Sequence, residues 1–500
     1  MDDAFLMEYG TLARATGGEL LLFPGAGRGF TSVYIDSREV RPGSLFVALP
    51  GTSTDGHRFV EAAFRAGAAC AMVARSRLED SSLALEAGAR KARASLLVVE
   101  DTLAGLQDAA RVYLEGFPGL LRIGCTGSAG KSTTKEIAAA MIGREKQVIM
   151  NRGNLNSETG LPLSVFEVRA HHEVGIFEMG MNKPGEIAAL ARVLNPQIAL
   201  ITMIGTAHIE FFGNREAILD EKMQIFSRFS GTETALIPED DDFREAMAAG
   251  VRGRVVFYGP KNLEELKKIE NFGLDGTEIT WEGISVRFRL PGRHNLRNAL
   301  AAAAIARAVP VSSQAIREGL AAVKPLFGRS EIIRGPVTVI RDCYNANPES
   351  TAEAIGFCDS LDWPGRRVYV IGSMLELGTA SGVAHAGIGR LLAASKADMA
   401  FLFGPETRAS ADILAAAEAP AEGGSESAVG ESGTGGNGTG RKIPWFHTDT
   451  MGELSRALGA YIRPGDLVLL KGSRGCALEQ VMGTVSAAGT ADVKAAEGVV

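Results

Sequence analysis

The chain has 500 residues, 46% of them hydrophobic, with 52 Lys and Arg against 59 Asp and Glu for a formal net charge of -7. The lack of a basic excess excludes nucleic acid as an expected partner, and no apolar run approaches the roughly 20 residues of a membrane helix, so no membrane insertion is expected. Five scattered cysteines without C-x-x-C spacing argue against a disulfide framework or a structural zinc site; with no basic-then-apolar start, the expectation is a cytoplasmic protein.

This length exceeds what one hydrophobic core sustains, and about three domains are expected. Residues 1–118 contain "SVYIDSREVRPGSLFVALPGTSTDGHRFVEAAFRAGAACAMVA", where short β-rich runs alternate with a helical pattern, as in a small α/β unit. Residues 119–325 carry the strand candidates "RIGCT", "VGIFEMG", "IALITMIG", "TALIPE" and "VVFYG", the earlier ones separated by helical patterns, which predicts a mostly parallel sheet. Residues 326–500 repeat the alternation with "VTVIRDC", "RVYVIGS", "MAFLFG" and "DLVLLKG", a Rossmann-like pattern with its ligand edge at the strand C-termini. Inside it, 418–442 is rich in Gly and Ser and reads as a disordered insertion.

The stretch "RIGCTGSAGKSTTKEIAAAMI" places glycines, Lys131 and Ser132 between a strand and a helix, the context of a phosphate cradle. The common template G-x-x-x-x-G-K-[ST] calls for Gly at the position of Cys125, whereas this chain has Gly124 and Gly127. Glu178 ends an apolar strand in the same domain, where a hard oxygen ligand for Mg2+ would sit. His208 follows "IALITMIG", and Lys222 lies on the helical pattern that starts near Arg215. Asn295 opens an alanine-rich helix and suits either a nucleobase edge or a cap. Arg329, Asp342, Tyr344, Asn345, Lys471, Ser473 and Arg474 lie beside strand ends or a domain boundary; there an Asp suits a ribose hydroxyl and a cation suits phosphate or carboxylate. Solvated loop charges are the plain alternative.

In order, "DSREVRPGSLFVAL", "TGSAGKSTTKE", "GNLNSETGLPLSV", "EMGMNKPGEIAAL", "AHIEFFG", "GRHNLRNALAA", "YNANPES", "MLELG" and "LLKGSRG" resemble the ATP-dependent Mur ligases of peptidoglycan synthesis, whose phosphate loop has the form T-G-x-x-G-K-[ST]. The resemblance implies a UDP-binding first domain, a P-loop ATP-binding central domain and a Rossmann-like third domain. It implies an amide ligase that uses ATP and Mg2+ to join D-alanyl-D-alanine to UDP-N-acetylmuramoyl-tripeptide through an acyl phosphate, working as a monomer. By the same resemblance Thr126, Gly127, Ser128, Ala129, Gly130, Lys131, Ser132 and Thr133 hold phosphates, with Asn295 at the adenine, Asp342 at the ribose and Arg329 on the phosphates. Ser132, Glu178 and His208 match metal-binding positions, and Lys222, fourteen residues after His208, matches a lysine that these enzymes carbamylate, which would make it a fourth, anionic metal ligand. Ser37, Arg38, Asp55 and His57 belong to motifs of the UDP-binding domain, and Asn154 and Asn156 to the motif lining the substrate channel.

The sequence departs from the family pattern at Gln224, where Glu is common, at Cys343, where Ser is common, and in the 418–442 insertion. "YNANP" stands where the ligase for the third residue carries D-N-P-R, which favours the dipeptide-adding reaction over a single-amino-acid ligase. A P-loop ATPase driving a partner would leave the outer-domain motifs without a use, and a catalytically dead scaffold would not retain Lys131, Ser132, Glu178, His208 and Lys222 together.

Overall fold

Apolar runs of five or six residues, too short for helices and bounded by Gly or Asn, become the buried strands of three α/β units. The computed structural model describes residues 5–51, 54–80, 84–418 and 442–487. The Gly- and Ser-rich segment expected at 418–442 therefore lies, from 419 to 441, outside the described residues.

In the first unit, β1 (Glu19–Leu21), β2 (Val33–Tyr34), β3 (Leu45–Val47), β4 (Cys70–Ala74) and β5 (Ser95–Val99) form a sheet in the order β1-β5-β4-β3-β2. It is parallel except at the β1 edge. Helix α1 (Thr102–Glu115) follows, capped by the Asp101 carboxylate, which accepts from the Leu103 and Ala104 N–H groups. It docks the first unit on the second: the Tyr113 hydroxyl donates to Val168 O at 2.7 Å, and Asp108 pairs with Arg192.

The central sheet comprises β6 (Leu121–Thr126), β7 (Val148–Met150), β8 (Val174–Glu178), β9 (Ile198–Ile201), β10 (Thr234–Pro238) and β11 (Arg254–Tyr258). All are parallel, in the order β11-β10-β9-β6-β8-β7. Both faces are buried, so successive residues serve opposite cores. Ile123, Ile176, Ile198, Leu200 and Leu236 pack on one side, and Phe177, Ile201 and Ile237 on the other. The first side is covered by α2 (Lys131–Ile142) and, packed against it, α5 (Arg293–Arg307); α3 (Glu186–Leu194) and α4 (Arg215–Met223) bury their apolar residues on the other. The fully buried run Ala299–Ala306 keeps α5 thin enough to pack tightly. Gly319 of α6 (Ser313–Ala322) sits so close to the Met141 backbone that a side chain there would collide with it.

An antiparallel meander of β12 (Leu266–Asn271), β13 (Thr277–Trp281) and β14 (Ile284–Phe288) precedes α5. The strand candidates omit it because Lys267, Lys268 and Glu270 interrupt any apolar run, as suits a half-exposed sheet. The third unit holds β15 (Glu331–Ile333), β16 (Thr338–Asp342), β17 (Arg367–Gly372), β18 (Met399–Phe403), β19 (Trp445–Thr448) and β20 (Leu467–Lys471) in the order β15-β16-β20-β17-β18-β19. Only β15 is antiparallel. Helices α7 (Pro348–Ser360) and α8 (Ser381–Ala394) follow β16 and β17. The C-terminal ends of the central and third sheets face one cleft, whose walls include Lys131, Glu178, Asp342 and Lys471.

Candidate active site

The loop from β6 to α2 turns through Gly127 and Gly130, at φ +147° and +85°. A Cβ at Gly127 would strike Thr202 Oγ1, and one at Gly130 would strike Asn298 Oδ1, so the loop needs glycine for space as well as for conformation. The loop leads directly into the N-terminus of α2, where backbone N–H groups favour an anion. Lys131 Nζ lies across it and donates to Gly127 O at 2.7 Å. Burial lowers the Lys131 pKa, partly offset by the Glu178 carboxylate.

Glu178, at the end of β8, is 2% exposed and held on every side. Ser132 Oγ donates to Oε2 and Asn156 Nδ2 to Oε1, both at 2.6 Å. The Asn151 side chain accepts from the Glu178 N–H and donates to its carbonyl, each at 2.9 Å. Beneath, the buried Lys135 Nζ donates to Asn151 O at 2.5 Å. Asn151 and Lys135 escaped the sequence reading. Lys135 stands one helical turn after Lys131, and Asn151 just before the asparagines of "GNLNSETG", which are the signals that could have found them.

The third unit reaches into this group. Arg329 Nη2 donates to Ser132 Oγ at 3.0 Å while its guanidinium lies 4.2 Å from the Tyr344 ring centroid. His208, in the left-handed region at φ +66°, brings Nδ1 within 2.7 Å of Glu376 Oε2, an ion-pair contact that lies off the hydrogen-bond axis. His208 holds the half-buried Glu376 carboxyl below the ordinary glutamate range, against the effect of burial. Glu376 also escaped the reading, although its motif "MLELG" is among those quoted above.

Asp342, at the end of β16, pairs with Lys471 Nζ at 2.9 Å and accepts from the Ser330 N–H at 2.9 Å. Burial pushes its carboxyl upward, but Lys471 and His294 outweigh burial and the pKa falls below the ordinary value. Lys471 also donates to Asn345 O at 2.8 Å. Asn295 is 3% exposed, lines the cleft and donates Nδ2 to Pro291 O at 2.8 Å, the local bond of a helix start. Ser473 is buried and accepts from the Leu375 N–H, which leaves it behind the wall, whereas Arg474 lines the cleft and pairs with Glu479.

The cleft, of about 1240 Å3, gathers Ser128 to Thr133, Asn154, Asn156, Glu178, His208, Asn295, Arg329, Asp342, Tyr344, Asn345, Lys471 and Arg474. Lys222 is 1% exposed and sits behind Met181, whose Sδ lies 3.6 Å from Nζ; burial and then the Lys131 charge hold its pKa well below the lysine range. Thr126 and Gly127 are not among the cleft's lining residues, and the buried Thr126 hydroxyl donates to Met179 O at 2.8 Å. Ser37, Arg38, Asp55 and His57 are not among the cleft's lining residues. Arg38 is exposed and pairs with Asp36. His57 is 2% exposed, its Nδ1 contacts Asp55 at 2.6 Å and its Nε2 accepts from the Ala74 N–H at 2.9 Å. Both ring nitrogens are engaged within the first domain. Asp55 is likewise engaged, capping the turn at His57 and pairing with Arg77 at 2.9 Å.

These parts define a phosphate-loop α/β protein whose site is completed by a second domain. Family models described as Mur ligase family, catalytic domain, Mur ligase middle domain, and Mur ligase, glutamate ligase domain match residues 29–113, 125–306 and 328–474. The UDP-N-acetylmuramoyl-tripeptide--D-alanyl-D-alanine ligase of Treponema pallidum is 38% identical over 483 residues, covering 95% of this chain and 98% of that protein. Its counterpart from Bacillus subtilis is 32% identical, covering 90% and 92%. Among solved structures, MurF from Acinetobacter baumannii superposes with a TM-score of 0.81 at 27% identity, covering 96% of this chain and 98% of that one. MurF ligase from Thermotoga maritima in complex with ADP superposes at 0.74 and 27% identity, covering 92% and 98%. The chain belongs to the Mur ligase family.

Proposed function

We propose that this chain joins D-alanyl-D-alanine to UDP-N-acetylmuramoyl-tripeptide at the expense of ATP, giving UDP-N-acetylmuramoyl-pentapeptide, ADP and phosphate. The observation that carries this reading is the end-to-end match, 98% of the Treponema pallidum ligase, combined with a cleft in which a phosphate loop and an arginine from another domain share one serine. The terminal carboxylate of the tripeptide attacks the γ-phosphorus, ADP leaves, and an acyl phosphate forms. The dipeptide amine, once it has lost a proton, attacks that carbonyl and expels phosphate. The protein's part is positioning and charge stabilisation.

Lys131 and the loop N–H groups from Ser128 to Thr133 hold the β- and γ-phosphates, and Arg329 adds charge from the third domain. Asn295 faces the adenine and Asp342 the ribose. Asn154 and Asn156 guide the tripeptide; Tyr344, Asn345, Lys471 and Arg474 border the incoming dipeptide; Ser37 and Arg38 serve the UDP end. Ser132 and Glu178 present hard oxygens 2.6 Å apart, and no group of three or more His, Cys, Asp or Glu among the described residues could hold a cation by itself. That donor set fits Mg2+, which takes one or two carboxylates and draws its remaining ligands from substrate phosphates. Ser132, Glu178 and His208 would hold it, and it would neutralise charge on the phosphate oxygens. Lys222, buried and favouring the neutral amine, fits a carbamate: its Nζ would bond to CO2 carbon and release a proton, leaving an anion beside the site.

Among the described residues no helix is long and apolar enough to cross a membrane. The test is mass spectrometry of products after incubation with ATP, Mg2+, D-alanyl-D-alanine and UDP-muramoyl tripeptides carrying lysine or diaminopimelate. A UDP-pentapeptide is expected. ATP consumption without a new amide would refute the reading.

A further inference from the structure

The third domain reaches the phosphate loop a second time indirectly, through a turn of the central domain and a residue outside the chemistry above. Both carboxylate oxygens of Glu349, in the first turn of α7, reach the central domain: Oε1 accepts from the Thr206 N–H at 2.8 Å and Oε2 from the Thr206 hydroxyl at 3.1 Å. The turn thus clasped is the one that buttresses the loop. Gly205 N–H donates to Ser128 Oγ at 2.9 Å, and Ser128 N–H donates to Met203 O at 2.9 Å. The same turn is fixed within its own domain, where Ile204 N–H donates to Asp241 and Arg215 donates to Ile204 O, both at 2.8 Å. Movement of Glu349 therefore pulls on a stiff element bonded to the front of the loop, while Arg329 holds Ser132 at the back. The approach is close: the three nearest atoms to a Cβ built on the buried Gly205 all belong to the Glu349 carboxyl group, at 3.0 to 3.2 Å.

We propose that Glu349 is a positioning residue that couples docking of the third domain to the register of the phosphate loop. Contacts between domains of one chain are by default transient, and a charged acceptor bonded to two donors favours the docked arrangement more strongly than a neutral one would. ATP meets the loop in either arrangement, but the γ-phosphoryl group is aligned only when Glu349 is engaged. The inference rests on the ligase reading above.

The test uses full-length wild type, E349A, E349Q, G205A and the E349A/G205A double variant, assayed for UDP-pentapeptide formation. E349A is expected to lower kcat about tenfold, equivalent to about 1.4 kcal/mol in the barrier. Affinity for a non-hydrolysable ATP analogue, titrated without tripeptide, is expected to stay within about twofold, a split that mere loss of structure would not give. E349Q, which retains an acceptor for the Thr206 N–H, recovers most of the rate. G205A pushes the carboxylate aside, so it lowers kcat in the wild-type background and adds nothing in the E349A background. Full kcat in E349A, an analogue affinity that falls in step with kcat, or additive G205A and E349A effects would each overturn the proposal. A wild-type chain that makes no UDP-pentapeptide sinks the ligase reading and this inference with it; an active wild type with an equally active E349A sinks this inference alone.

Discussion

Replacing Lys135 with methionine removes the cation buried beneath the phosphate loop while keeping a side chain of similar length. Lys135 Nζ donates to Asn151 O at 2.5 Å, and its nearest carboxylate, on Glu136, is 3.6 Å away. Leaving the Asn151 carbonyl without a donor costs about 1–3 kcal/mol. Relief of the ammonium's desolvation, several kcal/mol for a buried ion, acts in the opposite direction. The two nearly offset, so stability should change by no more than about 2 kcal/mol. Catalysis has no such compensation. Asn151 grips both the N–H and the carbonyl of Glu178, and an error of about 1 Å in a positioned group can lower the rate about a hundredfold. K135M should therefore lose between about tenfold and a hundredfold in kcat with a thermal midpoint close to wild type. ADP release in a coupled assay and thermal unfolding of the same preparation measure both. A kcat within about twofold of wild type would refute the idea that Lys135 sets Glu178 from below.

Lys222→Ala should abolish ligation and be partly restored by a short-chain carboxylate occupying the carbamate's place; full activity without the additive removes the carbamate from the mechanism. His57→Ala should destabilise the first domain by about 1–3 kcal/mol, because the Ala74 N–H loses its buried acceptor, while KM for the UDP-tripeptide hardly moves. A large KM rise at unchanged stability would restore His57 as a ligand. The Asp342 carboxyl has a folded pKa below its unfolded value, so the stability it contributes through Lys471 is present above the ordinary Asp range, near pH 4, and is lost as pH falls through the folded value. The gap in thermal midpoint between wild type and K471M should accordingly be widest near neutral pH and shrink in acid; a gap independent of pH would contradict the pairing. X-ray scattering should show compaction when an ATP analogue and UDP-tripeptide are added together, since proposed ligands for one nucleotide come from two domains.

Much of the architecture was legible because parallel strands buried on both faces must be continuous apolar runs. "RIGCT", "IALITMIG", "TALIPE" and "DLVLLKG" each became such a strand. The meander at Leu266–Phe288 was not legible, since a half-exposed strand such as "LKKIEN" has no run to detect. At the site, the residues named from sequence were those whose chemistry is unusual for their place: a lysine after glycines, a glutamate closing a buried strand. Lys135, Asn151, Glu349 and Glu376 are ordinary in sequence and acquire meaning only from what faces them. The partners of His57, Asp55 and the Ala74 N–H, likewise emerge only from the fold.

By itself the sequence determined the strand order along the chain, the glycines of the phosphate loop and the stock of charged groups, because local periodicity, backbone conformation and side-chain chemistry are properties of neighbours in the chain. Tertiary structure alone decided that Arg329 meets Ser132, that Glu349 clasps Thr206 and that Glu376 comes to His208. The partners in these pairs lie between 143 and 197 residues apart for the two hydrogen-bonded contacts. Nothing in local pattern encodes such meetings; they arise when two separately cored sheets present their C-terminal edges to the same cleft.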